Sequence, residues 1–354
     1  MSSQVSVAPE RLLSLRVSLN ALRRATRLYM LNHSPRAFLQ ASSFLVRKAA
    51  GRIPPINVVM AVTYRCQCQC PHCYASIEGR SVGRELSTVE FLSVLNQLKA
   101  LGVLQVLFTG GEPLLRPDIF DLIAHARRIG LLTRLSTNGY LLDRACAARL
   151  KRAGLIHCGI SIDEVDPSLH DRFRMLPGCH ARALHAFAHL REYHIDRRML
   201  VHTSHAKIAA GLECFVELAK SLKVNSCFFV IPYAIGRWDG AYQEVLSEGE
   251  MTSLRRLLKY RDVAIEFPTP ETNCCAYDKT ILNINPMGEV SLCPAAPFSL
   301  GNVCDKPLAD IWQCHVSALR LESRGRCPLN DPLERERMRA HCASVLSRAF
   351  IDAS

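Results

Sequence analysis

The stretch Asn57-Val58-Val59-Met60-Ala61-Val62-Thr63-Tyr64-Arg65-Cys66-Gln67-Cys68-Gln69-Cys70-Pro71-His72-Cys73-Tyr74 joins two kinds of sequence. Its first six residues are largely apolar and β-prone, which suits a strand buried on both faces. The rest is a loop in which Cys66, Cys70 and Cys73 stand at C-x3-C-x2-C spacing, with Cys68 between them. Downstream segments repeat the strand. Ser87-Thr88-Val89-Glu90 is a capping box that opens a helix running to about Leu101. Val103–Phe108 reads as a second strand, and Pro117 suits the first turn of a helix that Gly130 ends. Leu132–Leu135, Ile156–Ile162, Met199–Thr203 and Ser226–Ile231 read as further strands, separated by helices near 143–153, 181–193 and 212–222. Six strands alternating with helices predict parallel strands and right-handed crossovers, in an open doubly wound sheet or a partial barrel. Functional groups then collect just past the strands' carboxyl ends. The cysteine loop falls there. So do Thr109-Gly110-Gly111-Glu112-Pro113, Ser136-Thr137-Asn138-Gly139, Ser161-Ile162-Asp163, Thr203-Ser204 and the segment from Pro232 to Arg237.

The chain has 354 residues, of which 49% are hydrophobic, enough for a large core. That composition excludes a disordered tail, a collagen and a small disulfide scaffold. No apolar run is long enough for a spanning helix, and the start lacks the pattern of a secretory signal. A cytoplasmic location is expected, where clustered thiols among the 16 cysteines ligate metal rather than pair. Cys146, Cys158, Cys214 and Cys227 fall in apolar stretches and read as small core residues. Charge is uneven: of a net +12, residues 1–52 carry nine basic groups against Glu10 alone. Leu12, Leu15, Leu19 and Leu22 recur there at helical spacing, predicting a basic amphipathic helical extension. It either packs on the main domain or meets an anionic membrane surface or an acidic partner; a mitochondrial presequence shares the composition. Nucleic acid is not an expected partner, because the basic excess lies mostly on this helix without interleaved aromatics.

Soft thiolates at short spacing select zinc or iron–sulfur clusters. A structural zinc wants four ligands. Three thiols on one loop can instead hold three corners of a four-iron cluster and leave the fourth iron open, with Cys68 a bystander. On these residues the sequence resembles the radical S-adenosylmethionine (SAM) superfamily. Cys66, Cys70 and Cys73 followed by Tyr74 look like its signature, and Gly110-Gly111-Glu112-Pro113 looks like its GGEP motif on the next strand. The resemblance spans roughly residues 53–240. It implies an α/β fold built on a partial (β/α)6 TIM-type barrel. It also implies a [4Fe-4S] cluster whose open iron is chelated by SAM, reductive cleavage to a 5′-deoxyadenosyl radical, and hydrogen abstraction from a substrate. For single residues it implies that Gly110 and Gly111 admit the methionine moiety, Glu112 pairs with its ammonium, and Pro113 completes the motif. Ser136 and Asn138 would contact the ribose and methionine end, and Ser161 with Arg174 would anchor ribose or carboxylate.

Cys275, twelve residues, Gly288, four residues and Cys293 resemble the opening of the SPASM/twitch extension, which binds auxiliary clusters. Ile284-Asn285-Pro286-Met287-Gly288-Glu289-Val290 reads as a strand, turn and strand, and Gly301-Asn302-Val303 and Ile311-Trp312 echo the extension's continuation. The pattern then departs, because after Cys327 the position of the next cysteine holds Asn330. The expectation is a small twitch-like α+β region over residues 241–354 with a single auxiliary [4Fe-4S] cluster. Cys275, Cys293 and Cys327 would be ligands, and the fourth would come from Cys342, Cys304, Cys274 or an oxygen group. A clusterless or zinc-binding extension is the alternative.

The resemblance thus implies hydrogen abstraction from a peptide or protein side chain, in maturation or natural-product biosynthesis, with a flavodoxin or ferredoxin as reductant. Modification of a small cofactor, tetrapyrrole or lipid precursor is the alternative within enzymes. A non-catalytic iron–sulfur or zinc binding protein is the alternative outside them.

Overall fold

A computed structural model describes residues 54–75, 83–266, 279–318 and 327–351. The basic extension at 1–52 and the pair Cys274 and Cys275 lie outside the described residues.

Strands β1 (Asn57–Ala61), β2 (Gln105–Thr109), β3 (Leu132–Thr137), β4 (His157–Ser161), β5 (Asp196–His202) and β6 (Ser226–Val230) lie side by side in chain order, all parallel. These are the six expected strands, shifted by at most three residues at their ends. Between them run α1 (Thr88–Leu101), α2 (Ile119–Arg128), α3 (Arg144–Ala153), α4 (Pro167–Arg174), α5 (Cys179–Glu192), α6 (His205–Ala210) and α7 (Glu213–Ser221). The local chemistry accounts for the helix ends. The Ser87 hydroxyl accepts from the Glu90 N–H while the Glu90 carboxylate accepts from the Ser87 N–H, and Gly102 closes α1 in the left-handed region. Asp143 caps α3 through the Cys146 N–H, and Gly154 ends it. The short α4 escaped the sequence reading. Asp166 caps it, Pro167 opens it, and it delivers Arg174 to the rim.

The sheet extends beyond six strands in both directions. β7 (Val263–Glu266) adds in parallel to β6. On the other side β8 (Ile281–Ile284) adds in parallel to β1, followed by antiparallel β9 (Glu289–Ser291) and β10 (Ser299–Asn302). The result is one ten-stranded sheet into which the C-terminal strands are hydrogen-bonded. Helices α8 (Glu248–Arg255), α9 (Leu308–Ala318) and α10 (Pro332–Ile351) complete the described elements.

Along β5 and β6, fully buried Met199, Val201, Cys227 and Phe229 alternate with half-buried Leu200, Phe228 and Val230. The buried set joins Phe91, Leu95, Phe108, Ile123 and Phe187 in the main core, where each large side chain contributes about 1.5–3 kcal/mol. Ser136 and Ser161 belong to the half-buried set. Cys158 and Cys227 are core residues as expected, and Cys146 is half-buried. Cys214 is exposed, because α7 turns Phe215, Val216 and Ala219 inward. No helix among the described residues is long and apolar enough to cross a membrane.

Candidate active site

The cysteine loop is fastened at its start by the turn after β2. The Gly111 N–H donates to the Thr63 carbonyl at 2.8 Å, and the Glu112 N–H donates to the Arg65 carbonyl at 2.8 Å. The approach leaves no room for side chains. A Cβ at Gly110, whose φ is +148°, would lie 2.1 Å from the Thr63 oxygen, and one at Gly111 would lie 2.4 Å from the Arg65 oxygen. The two glycines are therefore required by the protein's own loop, a reason the motif reading did not supply. Further along, the Gln69 N–H donates to the Arg174 carbonyl at 3.1 Å, which ties the loop to the end of α4.

Cys70 is buried, Cys73 half-buried and Cys66 exposed. Hydrogen bonding to Cys68 pulls the Cys66 thiol down to about 6 against the opposing effect of burial, with the Arg174 guanidinium adding to the drop. The Cys70 thiol is lowered by the same causes. Thiols that ionise readily are what thiolate ligation requires. Cys68 is not turned to solvent: it is buried with Cys70 and with Cys179, the first residue of α5. The Asn138 amide reaches its sulfur at 3.5 Å. Cys179 lies more than a hundred residues away in sequence, and nothing local marked it. Among the described residues no group of three or more Cys, His, Asp or Glu side chains is close enough to hold a metal ion. The fit of Cys66, Cys70 and Cys73 to a cluster is thus one of donor chemistry and loop anchorage, not of a preformed cage.

Glu112 is fully buried. Burial pushes its carboxyl up to about 7, against hydrogen bonds from the Asn138 N–H (2.9 Å), the Leu114 N–H (3.0 Å) and the Thr137 hydroxyl (2.8 Å). Three of its roughly four acceptor positions are spent. Pro113 begins the short 3-10 turn that follows. Asn138 is a junction: its carbonyl oxygen accepts from the Gln67 amide and the Tyr140 N–H, while its amide faces the Cys66 and Cys68 sulfurs. Arg174 is buried against Asp163, with Nε and Nη2 at 2.8 and 2.6 Å from the same carboxylate oxygen. Burial would raise the Asp163 carboxyl, but Arg174 and the other cations around it hold it well below the usual carboxylate range. Asp163, two residues past Ser161, lay in a rim segment the sequence marked, but its partnership with Arg174 was not foreseen. His202, at the end of β5, stacks on His72 of the loop with ring centroids 4.2 Å apart, and Trp238 sits against both rings.

This geometry is matched by kinship. Residues 60–208 fit the family model of the radical SAM superfamily, and residues 274–339 fit that of the SPASM iron-sulfur cluster-binding domain. The PqqA peptide cyclase of Gluconobacter oxydans (strain 621H) is 30% identical over 296 residues, covering 79% of this chain and 82% of the relative.

The chain belongs to the radical SAM superfamily.

The PqqA peptide cyclase of Rhodopseudomonas palustris (strain ATCC BAA-98 / CGA009) is 32% identical over 295 residues, 77% of each chain. Among solved structures, Streptococcus suis SuiB bound to S-adenosylmethionine shares the fold of this radical SAM enzyme. Its TM-score is 0.63 at 18% identity, over 82% of this chain and 76% of SuiB. SuiB bound to the precursor peptide SuiA gives 0.62 at 17% identity, over 78% of this chain and 68% of SuiB. The protein is accordingly an enzyme that cleaves SAM at a [4Fe-4S] cluster, with an iron–sulfur-binding SPASM domain at its C-terminal end.

In that SPASM region Cys293 and Cys327 are half-buried, beyond β9 and at the cap of the turn Pro328–Asn330. Cys342 is different. It is buried in the main core, where burial pushes its thiol up to about 12. Cys304 is exposed beyond β10. Asn330, which stands where the family pattern has a cysteine, is engaged with the loop after β6. Its carbonyl oxygen accepts from the Ala234 N–H at 3.2 Å, and its amide donates to the Pro232 carbonyl at 2.9 Å.

Proposed function

We propose that this radical SAM enzyme modifies a peptide. One observation carries the reading: curated relatives that match more than three quarters of this chain are PqqA peptide cyclases. Cys66, Cys70 and Cys73 would hold three irons of the [4Fe-4S] cluster, leaving the fourth for SAM. Bound together, these groups supply a carbon-centred radical able to take a hydrogen atom from an unactivated C–H bond. Glu112, with one acceptor position unspent, would receive the SAM ammonium. Gly110, Gly111 and Pro113 set the turn that presents it. Ser136 and Asn138 would contact the ribose and methionine end, and Ser161, half-buried like Ser136, would help anchor ribose or carboxylate. Arg174, its charge balanced by Asp163, keeps a cation beside the loop thiols. Cys275, Cys293 and Cys327 would hold a single auxiliary [4Fe-4S] cluster. The reductant is an acidic flavodoxin or ferredoxin. The basic segment 1–52 would meet that donor, a peptide leader or an anionic membrane surface. Oxygen-labile clusters and 16 cysteines fit the reducing cytoplasm.

The test supplies anaerobically reconstituted enzyme with SAM, dithionite and perdeuterated PqqA, SuiA or a small peptide encoded beside this protein. Deuterium appearing in 5′-deoxyadenosine supports a peptide substrate. Robust SAM cleavage with label arriving only from a deuterated cofactor or lipid precursor sinks it.

A further inference from the structure

The segment from Pro232 to Asp239, just past β6, touches both halves of the molecule. At one end it grips the cysteine loop. The Arg237 N–H donates to the Cys73 carbonyl at 3.2 Å, and the Arg237 guanidinium donates to the Cys70 carbonyl at 2.9 Å. Gly236, at φ +64°, lies so close that a Cβ there would stand 2.2 Å from the Cys73 oxygen. At the other end the segment is held by the SPASM region. Asn330 makes the two bonds to Ala234 and Pro232 described above. Arg335 of α10 donates to the Ala234 carbonyl at 3.2 Å and pairs with Asp239 at 2.6 Å. Ala234 and Ile235, between the two grips, are buried. No slack intervenes: two residues separate Ala234, where Asn330 pulls, from Arg237, where the cysteine loop is held.

We propose that residues 232–239 are a strap through which the C-terminal region sets the position of the cysteine loop, with Arg237 and Asn330 as its two positioning residues. The proposal rests on the reading that Cys66, Cys70 and Cys73 hold the SAM-binding cluster. Asn330 takes up a task there that a cysteine at the same position would perform only weakly, because its amide accepts from Ala234 with one atom and donates to Pro232 with another, whereas a thiol is a weak donor and a weak acceptor. Arg237 acts in two ways. It fixes two carbonyls of the loop, and it brings a permanent positive charge to the backbone of Cys70 itself. Charge and hydrogen bonding around cysteine ligands set the reduction potential of a cluster. Removing that charge makes reduction harder. Releasing Asn330 moves the charge and has an effect of the same sign.

The test compares the wild-type enzyme with Asn330→Ala, Arg237→Gln, Arg237→Lys and the Asn330→Ala/Arg237→Gln double variant, all full length. In the iron-free protein, hydrogen exchange across residues 66–75 should quicken about tenfold in Asn330→Ala, the effect of losing two hydrogen bonds. In the reconstituted protein, the cluster whose EPR signal changes on adding SAM should show a lower midpoint potential in Asn330→Ala and in Arg237→Gln. The double variant should add little to Arg237→Gln, and Arg237→Lys should recover part of the shift. A role in stability alone would lower the melting temperature and leave the potential where it was, which overturns the proposal. Should Asn330→Ala fail to fold, Arg335→Met releases the strap from the same side and must give the same shift. A wild-type protein with no SAM-responsive signal refutes the ligand reading and the strap with it. A wild-type signal that none of the variants moves refutes the strap alone.

Discussion

Substituting Gly110 by alanine tests the claim that the turn after β2 is built to clasp the cysteine loop. The added Cβ would lie 2.1 Å from the Thr63 oxygen, where an ordinary carbon–oxygen contact needs about 3.3 Å. Thr63 must therefore recede by about 1 Å. It is poorly free to do so, since its hydroxyl donates to Glu85 at 2.7 Å and its carbonyl accepts from Gly111. The positive φ costs an alanine about 1–2 kcal/mol, overpacking about 1–3, and the weakened Gly111–Thr63 bond about 0.5–1.5. The sum is roughly 3–6 kcal/mol. With about 2.1 cal/mol/K of unfolding entropy per residue over roughly 300 residues, each kcal/mol lowers the melting temperature by about 1.6 °C. Gly110→Ala should then melt about 5–10 °C below wild type as iron-free protein. It should also bind less iron on reconstitution, because Thr63 precedes Cys66 by one short step of chain. Gly240→Ala is the control. It too has positive φ, +77°, but its Cβ would meet nothing within 4 Å, so it should cost only about 2–3 °C. If the two variants melt together and load iron equally, the clasp argument is wrong.

Two further outcomes follow from buried charge. Burial pulls the ring of His157 down to about 4, although Asp196 opposes the shift from 2.5 Å. Its contribution is complete above an unfolded value of about 6.5 and is lost as pH falls toward 4, a change of about 3 kcal/mol. Replacing His157 with glutamine should flatten the decline in melting temperature across that window, and an unaltered slope would contradict the assignment. Asp163→Asn leaves the Arg174 guanidinium buried without its counter-charge and should cost about 3–5 kcal/mol in urea unfolding. Asp163→Asn/Arg174→Met should recover more than half of that loss; a double variant no more stable than the single would mean the pair is not coupled.

The barrel was legible because its signals are local. Each of the six strands has an apolar stretch that alternates with a helix in sequence, and the rim motifs follow directly from the strand ends. Among the shorter strands, β8 and β9 were legible only as the strand, turn and strand around Gly288, while β7 and β10 gave no such signal. β7 through β10 span only three or four residues each, and the pairing of β8 with β1 joins segments at opposite ends of the described chain. The site divides the same way. The three loop cysteines and Glu112 were visible as spacing and motif. The Arg174–Asp163 pair, the burial of Cys179 against Cys68 and the reach of Asn330 to Ala234 are contacts made across space by residue types that occur everywhere. Even Gly110 and Gly111, found from their motif, had a reason that only the fold discloses: a neighbouring carbonyl stands where their side chains would be.

The parallel pairing of β1 with β8 has a consequence for biosynthesis. Asn57 aligns with Ile281, so β1, which feeds the cysteine loop, waits for a partner made roughly 220 residues later. At translation rates of about 5–20 residues per second, that delay is roughly 10–45 s. Throughout it, one side of β1 is a bare template for any passing strand. A chain cut short before residue 281 would keep the strand that leads into the cysteine loop with one edge unpaired.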